Sequence, residues 1–226
     1  MDYKDLVKGL EEIAKTHYYK VIGKLKNTPI LITTLEGTIN LSVLKKDKLE
    51  NLAKSVINSP FPKPHLDYIP FVRDVEKGKE IHSIYVVNLK GEEFEVSSPR
   101  KRVTSIAYDE KTIAYIASSA ESTSLYVIEG GKERKLADVS PLLYISDVNG
   151  EYIVGTEASS GRQMESKIVL FTLDGGVKYI TPKEGSVNWT PLIYGDKVYF
   201  LSDYEFFGER SWVYTYSLKD GNIEKV

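Results

Sequence analysis

Apolar positions along the chain follow two rhythms. Over residues 2 to 15, Leu6, Leu10, Ile13 and Ala14 stand at i, i+4, i+7 and i+8, one stripe of a helix, while Lys4, Lys8, Glu11, Glu12 and Lys15 fall mostly off it. After Thr16 the period becomes two. Short runs rich in Val, Ile, Thr and Tyr then alternate with turns of Gly, Asp, Asn and Pro to the end of the chain. The pattern predicts one N-terminal α-helix followed only by strands.

The strand runs also repeat, at the spacing of roughly 40 to 50 residues that propeller blades produce. One unit reads Val103–Tyr108, Thr112–Ala117, Ser124–Ile128 and Arg134–Leu136, with tight turns at Asp109-Glu110-Lys111 and Glu129-Gly130-Gly131. A second reads Leu142–Ile145, Tyr152–Val154, Lys167–Leu173 and Val177–Ile180; a third reads Trp189–Ile193, Lys197–Leu201, Trp212–Leu218 and Ile223–Val226. Two weaker units precede them, from Tyr18 to about Leu52 with a turn at Lys45-Lys46-Asp47, and from Leu66 to Val96 with Ser83–Leu89 as its third strand. Alternate residues in the third strands are apolar or aromatic, as blades packed on both faces require. The fold expected is therefore all-β: a β-propeller of about five four-stranded blades behind one α-helix. Its limits are expected at residues 1–16 for the helix and 17–54, 55–98, 99–140, 141–184 and 185–226 for the blades. The alternative is a single β-sandwich with irregular turns, which does not need one unit repeated in register.

Charge narrows the partners. Thirty Lys and Arg against 32 Asp and Glu give a net charge of −2, without the basic footprint of a nucleic-acid binder. No run of some 18 apolar residues suits a membrane helix, and Met1-Asp2-Tyr3-Lys4-Asp5 is too polar to open a signal peptide, so a soluble cytoplasmic protein is expected. Without cysteine there is no disulfide, no Cys-ligated zinc and no thiol nucleophile. Sixteen Tyr against two Met suit half-buried strands, and abundant Lys, Glu and Ile beside a lone glutamine, Gln163, lean towards a thermophile.

The chemistry-bearing motifs are missing. No Gly-x-Ser-x-Gly elbow offers a strained, exposed serine, and His17, His65 and His82 lie far apart without ligand spacing. Neither Gly-x-Gly-x-x-Gly nor Gly-x-x-x-x-Gly-Lys-Ser/Thr is present to cradle phosphate. No catalytic residue, cofactor or metal is expected. Arg73 to His82 packs charge and a histidine into one turn, read as a charged turn whose Arg73 and Asp74 tie neighbouring blades rather than as a binding loop. The loops Glu157–Glu165 and Asp203–Arg210 share the position between second and third strands; Phe206 and Phe207 there either face a partner or pack inward. Pro60-Phe61-Pro62-Lys63-Pro64 is extended by composition and reads as the entry to the second blade.

The order of these elements resembles a known family. The helix, the first blade, the segment Pro64-His65 through Phe71-Val72-Arg73-Asp74-Val75, Lys77-Gly78, Glu80 and His82, and the later Tyr144-Ile145-Ser146-Asp147-Val148 with Gly150 and Ile153-Val154-Gly155 resemble the N-terminal half of archaeal acylaminoacyl peptidases, in the prolyl oligopeptidase clan. The resemblance runs from the helix to Val226. It implies a seven-bladed propeller that caps a C-terminal α/β-hydrolase domain carrying the Ser, Asp and His of a serine peptidase, with the helix packed back on the hydrolase. About two blades and the hydrolase are then outside this sequence, which fits a fragment, a truncated frame or a descendant without its enzyme half. The function implied is non-catalytic gating and selection of short peptides, in a parent that removes N-acylated amino acids. The partners implied are the missing hydrolase domain or another copy of the chain, and short peptides. The resemblance offers Tyr144 as a substrate contact; the plainer reading of Tyr144 is a core tyrosine. The functional alternative is a free-standing propeller that binds a protein or peptide. A glycosidase propeller would need paired carboxylates facing a pocket, and the acidic residues cluster in turns instead. An end blade without a neighbour would expose an apolar face, expected to carry Val198, Phe200, Val213 and Tyr214, and this predicts a homo-oligomer.

Overall fold

The computed structural model describes residues 17–34, 37–45, 48–159, 161, 165–205 and 210–226. The helix expected over residues 2 to 15 lies outside these residues, as do Lys46 and Asp47 of the first blade's last turn, and Phe206 and Phe207. Every regular element described is a strand, and the strands form five antiparallel sheets in sequence order. The first sheet runs β1 (Tyr19–Leu25), β2 (Thr28–Thr33), β3 (Asn40–Lys45), β4 (Lys48–Ala53). The third runs β9 (Val103–Tyr108), β10 (Thr112–Ser118), β11 (Thr123–Glu129), β12 (Lys132–Asp138). The fourth is β13 (Leu143–Asn149), β14 (Tyr152–Ala158), β15 (Ser166–Thr172), β16 (Val177–Ile180), and the fifth β17 (Asn188–Tyr194), β18 (Lys197–Ser202), β19 (Trp212–Ser217), β20 (Ile223–Lys225). Each is a four-stranded meander, the unit of a propeller blade.

The second blade departs from this plan. β5 (Tyr68–Asp74), β6 (Ile81–Asn88) and β7 (Glu93–Glu95) follow in order, and β8 (Arg100–Lys101) also pairs β6, so the outermost strand is split in two. On the other side of β5 a single bridge, Asn58 to Val72, takes the innermost place. The Pro60–Pro64 segment connects that bridge to β5, with Pro62 lying over Gly23, where a Cβ would meet its ring at 3.0 Å.

The chain divides into two compact units, one from the described residues of Met1–Arg73 with Tyr85–Phe94, the other from Asp74–Ile84 with Glu95–Val226. In the second unit the core lies between blades. Ile116, Leu125 and Val127 of the third blade meet Ile145, Ile153 and Val169 of the fourth, all at most 4% exposed. The opposite face of the fourth blade, with Val154, Ile168 and Leu170, meets Val198, Phe200 and Tyr214 of the fifth. Both faces of a middle blade are thus apolar, which is why its strands read as apolar on alternate and often consecutive positions.

That packing corrects one expectation. Val198, Phe200 and Tyr214 do not line an open end; they are buried against the fourth blade. Val213 is exposed, and it sits on the other face of the fifth blade in a cross-strand row with Leu201 and Trp189. Leu192 (54% exposed) and Tyr194 (77%) complete that face.

Candidate functional site

The inner strand of the fourth blade carries the candidate site. Its pairing with β14 slips between Ile145 and Asp147, so Ser146 is an extra residue, a β-bulge. The bulge is possible because Gly155 stands opposite: a Cβ there would lie 2.5 Å from the Tyr144 carbonyl oxygen and 3.0 Å from the Ile145 Cα. It aims two side chains at the fifth blade. Ser146 Oγ donates to the Pro191 carbonyl at 2.7 Å, and Asp147 Oδ2 accepts from the Ile193 amide at 2.8 Å while Oδ1 accepts from the Val148 amide at 2.9 Å. The Ser146-Asp147-Val148 string is a junction between blades.

Tyr144 is not a core residue. It is 57% exposed, next to the bulge. Burial exhausts the apolar positions on either side of it, Leu143 and Ile145, which face the third blade, and the alternation of the strand turns Tyr144 the other way.

Tyr144 pairs with Thr156, next to a cleft of about 150 Å³ lined by Glu157, Ala158, Ser159, Glu165, Ser166 and Lys167. Glu157 accepts from the Tyr179 hydroxyl at 3.3 Å; burial first, and then this carboxylate, raise the Tyr179 phenol above its ordinary range. Glu165 accepts from the Gly185 amide at 3.3 Å and stands 3.9 Å from Lys167 Nζ. Ser166 is committed to backbone: its Oγ accepts from the Asn188 amide at 2.8 Å and donates to the Asn188 carbonyl. The cleft offers carboxylate acceptors to a polar ligand; Tyr144 is not among its lining residues, since it pairs with Thr156 on one face of the blade while Glu157 pairs with Leu143 on the other. Among the described residues no group of three or more His, Asp or Glu is placed to hold a metal. Sequence reasoning singled out the loop but not Glu157, Ser166, Tyr179 or Asn188 within this arrangement; the only signal was that Ser166 immediately precedes a third-strand run.

The segment from Arg73 to His82 resolves into separate tasks. Arg73 donates through Nε and one terminal nitrogen to the Lys54 carbonyl at the end of the first blade (3.2 and 2.9 Å), and to both oxygens of Glu93 on β7 (2.8 and 3.1 Å). Its guanidinium lies 4.9 Å from the Phe71 ring centre and 4.8 Å from that of Tyr85. Arg73 therefore does tie neighbouring blades. Asp74 does not: its carboxylate accepts from the Glu76 and Gly78 amides (3.1 and 3.0 Å) and closes the local turn.

With this geometry in view, comparison with known proteins is decisive at one point. The sequence model of the family "Acylamino-acid-releasing enzyme-like, N-terminal domain" matches residues 30–226. The chain belongs to this family. Structural likeness extends further. The chain is similar to TolB from Acinetobacter baumannii (TM-score 0.57, 16% identity, covering 83% of this chain and 48% of that one). It is also similar to prolyl oligopeptidase B from Galerina marginata (0.63, 14%, 98% and 39%) and to the β-propeller domain of the trilobed protease from Pyrococcus furiosus (0.50, 16%, 94% and 84%). At these identities the likeness is one of fold. The chain spans about half the length of the TolB and less of the oligopeptidase. No helix among the described residues is long and apolar enough to cross a membrane.

Proposed function

We propose that this chain is the substrate-selecting, non-catalytic propeller part of an acylaminoacyl-peptidase-like serine hydrolase, whose parent protein removes N-acylated amino acids from short peptides in the cytoplasm. The observation that carries the reading is the family match over residues 30–226. In this reading residues 1–16 are the N-terminal helix, the blades lie at 17–54, 55–98, 99–140, 141–184 and 185–226, and the partner is a C-terminal hydrolase domain. Tyr144 and the cleft beside it support a role in contacting peptide. An exposed ring can take an apolar side chain, and Glu157 and Glu165 supply acceptors for peptide N–H groups. Ser166, the one hydroxyl lining the cleft from a strand, has the Asn188 backbone as its partner and no imidazole, so it is not an activated nucleophile.

The test is a titration of the labelled chain with N-acetylated di- and tripeptides followed by amide chemical shifts. Shifts clustered at Tyr144, Thr156 and Glu157, weakened in Tyr144→Ala, are expected, together with no turnover of acyl-amino-acid p-nitroanilides above the buffer rate. Shifts elsewhere or none at all, or turnover abolished by a serine-directed reagent, would overturn it.

A further inference from the structure

His82 is buried (5% exposed), and its Nδ1 accepts a hydrogen bond from the Val103 amide at 2.9 Å. Val103 opens β9, so this bond fastens the start of the third blade to β6 of the second. An acceptor at Nδ1 must be unprotonated there. The chain between the two residues is held on the same side: Ile81 and His82 pair with Lys101 and Arg100, and the Arg102 amide donates to the Glu80 carbonyl at 2.9 Å. Glu80 and Arg102 both adopt positive φ (54° and 42°), a conformation that non-glycine residues keep only when their surroundings impose it.

The next comparable junction does the same work with different chemistry. At the start of β15 the Ser166 hydroxyl accepts from the amide of Asn188, the first residue of β17 in the fifth blade, at 2.8 Å. Third-strand start and next-blade first strand are thus joined in both places through a side-chain acceptor on a backbone N–H. Serine does not titrate in the physiological range; histidine does.

We propose that His82 is a pH-sensitive latch that holds residues 100–103 to the second blade when neutral and releases them when protonated. Protonation at Nδ1 replaces the acceptor with a second donor facing the Val103 N–H, and a buried amide left without a partner is costly. The charged groups around the imidazole reinforce the direction. Arg100, its cross-strand partner on β8, is a cation, ion-paired to Glu133 of β12 at 2.6 Å. Glu133 also accepts from the Tyr115 hydroxyl of β10 and from the Ser98 amide, so its charge is already engaged. On the β5 side the Val75 amide donates to the Ile81 carbonyl, which brings Asp74 to the strand position beside His82, and that carboxylate is taken by the Glu76 and Gly78 amides. The remaining charges of the segment, Glu76, Lys77, Lys79, Glu80, Lys101 and Arg102, lie in exposed or partly exposed positions. A proton on Nδ1 is thus compatible with the open junction and not with the closed one, and opening is favoured as pH falls.

Amide exchange of the whole chain, corrected for the intrinsic rate, reads the latch at Val103 and carries its own control at Asn188. Between about pH 8 and about pH 5, protection of Val103 is expected to fall, by up to roughly tenfold for each pH unit as one proton is taken up, while that of Asn188 stays level. His82→Asn, whose Oδ1 takes the place of Nδ1 and does not titrate, should keep Val103 protected throughout. Equal pH dependence at Val103 and Asn188, or pH dependence retained in His82→Asn, overturns the proposal. Should that variant not fold, the ¹⁵N shift of Nδ1 in the unaltered chain decides alone: an unprotonated Nδ1 at the high end that gains a proton as Val103 loses protection is the expected result, and an Nδ1 protonated throughout overturns it.

Discussion

At the scale of single residues, the bulge in β13 shows how a short string encodes a junction. Gly155 is there because Tyr144 and Ile145 occupy the space of its side chain, not because its backbone needs an unusual φ. Gly155→Ala is expected to destabilise the chain by about 1–3 kcal/mol, as overpacking against backbone does, measured as a lower urea midpoint. Asp147→Ala removes an acceptor from one buried amide, Val148, and one half-buried amide, Ile193, and an effect of about 1–3 kcal/mol for each orphaned group is the upper bound. An unchanged midpoint in either variant contradicts the bulge as a stabilising device. Two buried tyrosines set an alkaline limit. Burial, then the neighbouring carboxylates, push Tyr115 upward beside Glu133 and Tyr214 up to about 12 near Glu205, from an ordinary 10.0. The folded chain then holds protons that the unfolded chain has released, so stability is intact below pH 10.0 and falls as pH rises towards about 12. Urea midpoints across that range should drop, and the drop should shrink in Tyr214→Phe.

At the scale of elements, the blades were legible because the period of two persists through four short strands and their turns; Gly130 and Gly131, both at positive φ, join β11 to β12 as a tight hairpin demands. The split edge of the second blade was not legible, since β7 and β8 are three and two residues long, too short to show alternation. Nor was the orientation of single side chains. Tyr144, Val198, Phe200 and Tyr214 all sit in apolar runs, and which face of a strand meets a neighbour is decided by the next blade, not by the run itself. The role of Arg73 was visible in outline; that of Asp74 was not, because a turn cap and an inter-blade ion pair use the same residue type. Arg73→Lys keeps the charge but loses the planar fork shared by Lys54 and Glu93. A loss of about 1–3 kcal/mol in urea unfolding is expected, with faster amide exchange at the end of β4; a variant indistinguishable from the parent would reduce Arg73 to a surface ion pair.

For the molecule as a whole, the face of the fifth blade turned away from the fourth is the feature with the widest reach. Trp189, Leu192, Tyr199, Leu201 and Val213 form an apolar cross-strand surface, with Tyr194 at its edge. In the chain of 226 residues by itself a second copy is expected to cover it. Sedimentation over a wide concentration range should show self-association that Leu192→Lys weakens; a monomer at every concentration would show that the face tolerates water. Four bonds onto first strands in the second unit share one polarity. His82, Ser105, Asp147 and Ser166 are side-chain acceptors for the N–H groups of Val103, Ile145, Ile193 and Asn188, each in the blade that comes later in the sequence, whereas the Ser98 amide, which lies on no first strand, donates forward to Glu133. A ribosome delivers the earlier blade first. Each newly made blade therefore emerges to meet a neighbour that already presents the acceptor for its first strand, and synthesis from the N-terminus can set the register of one blade from the finished surface of the last.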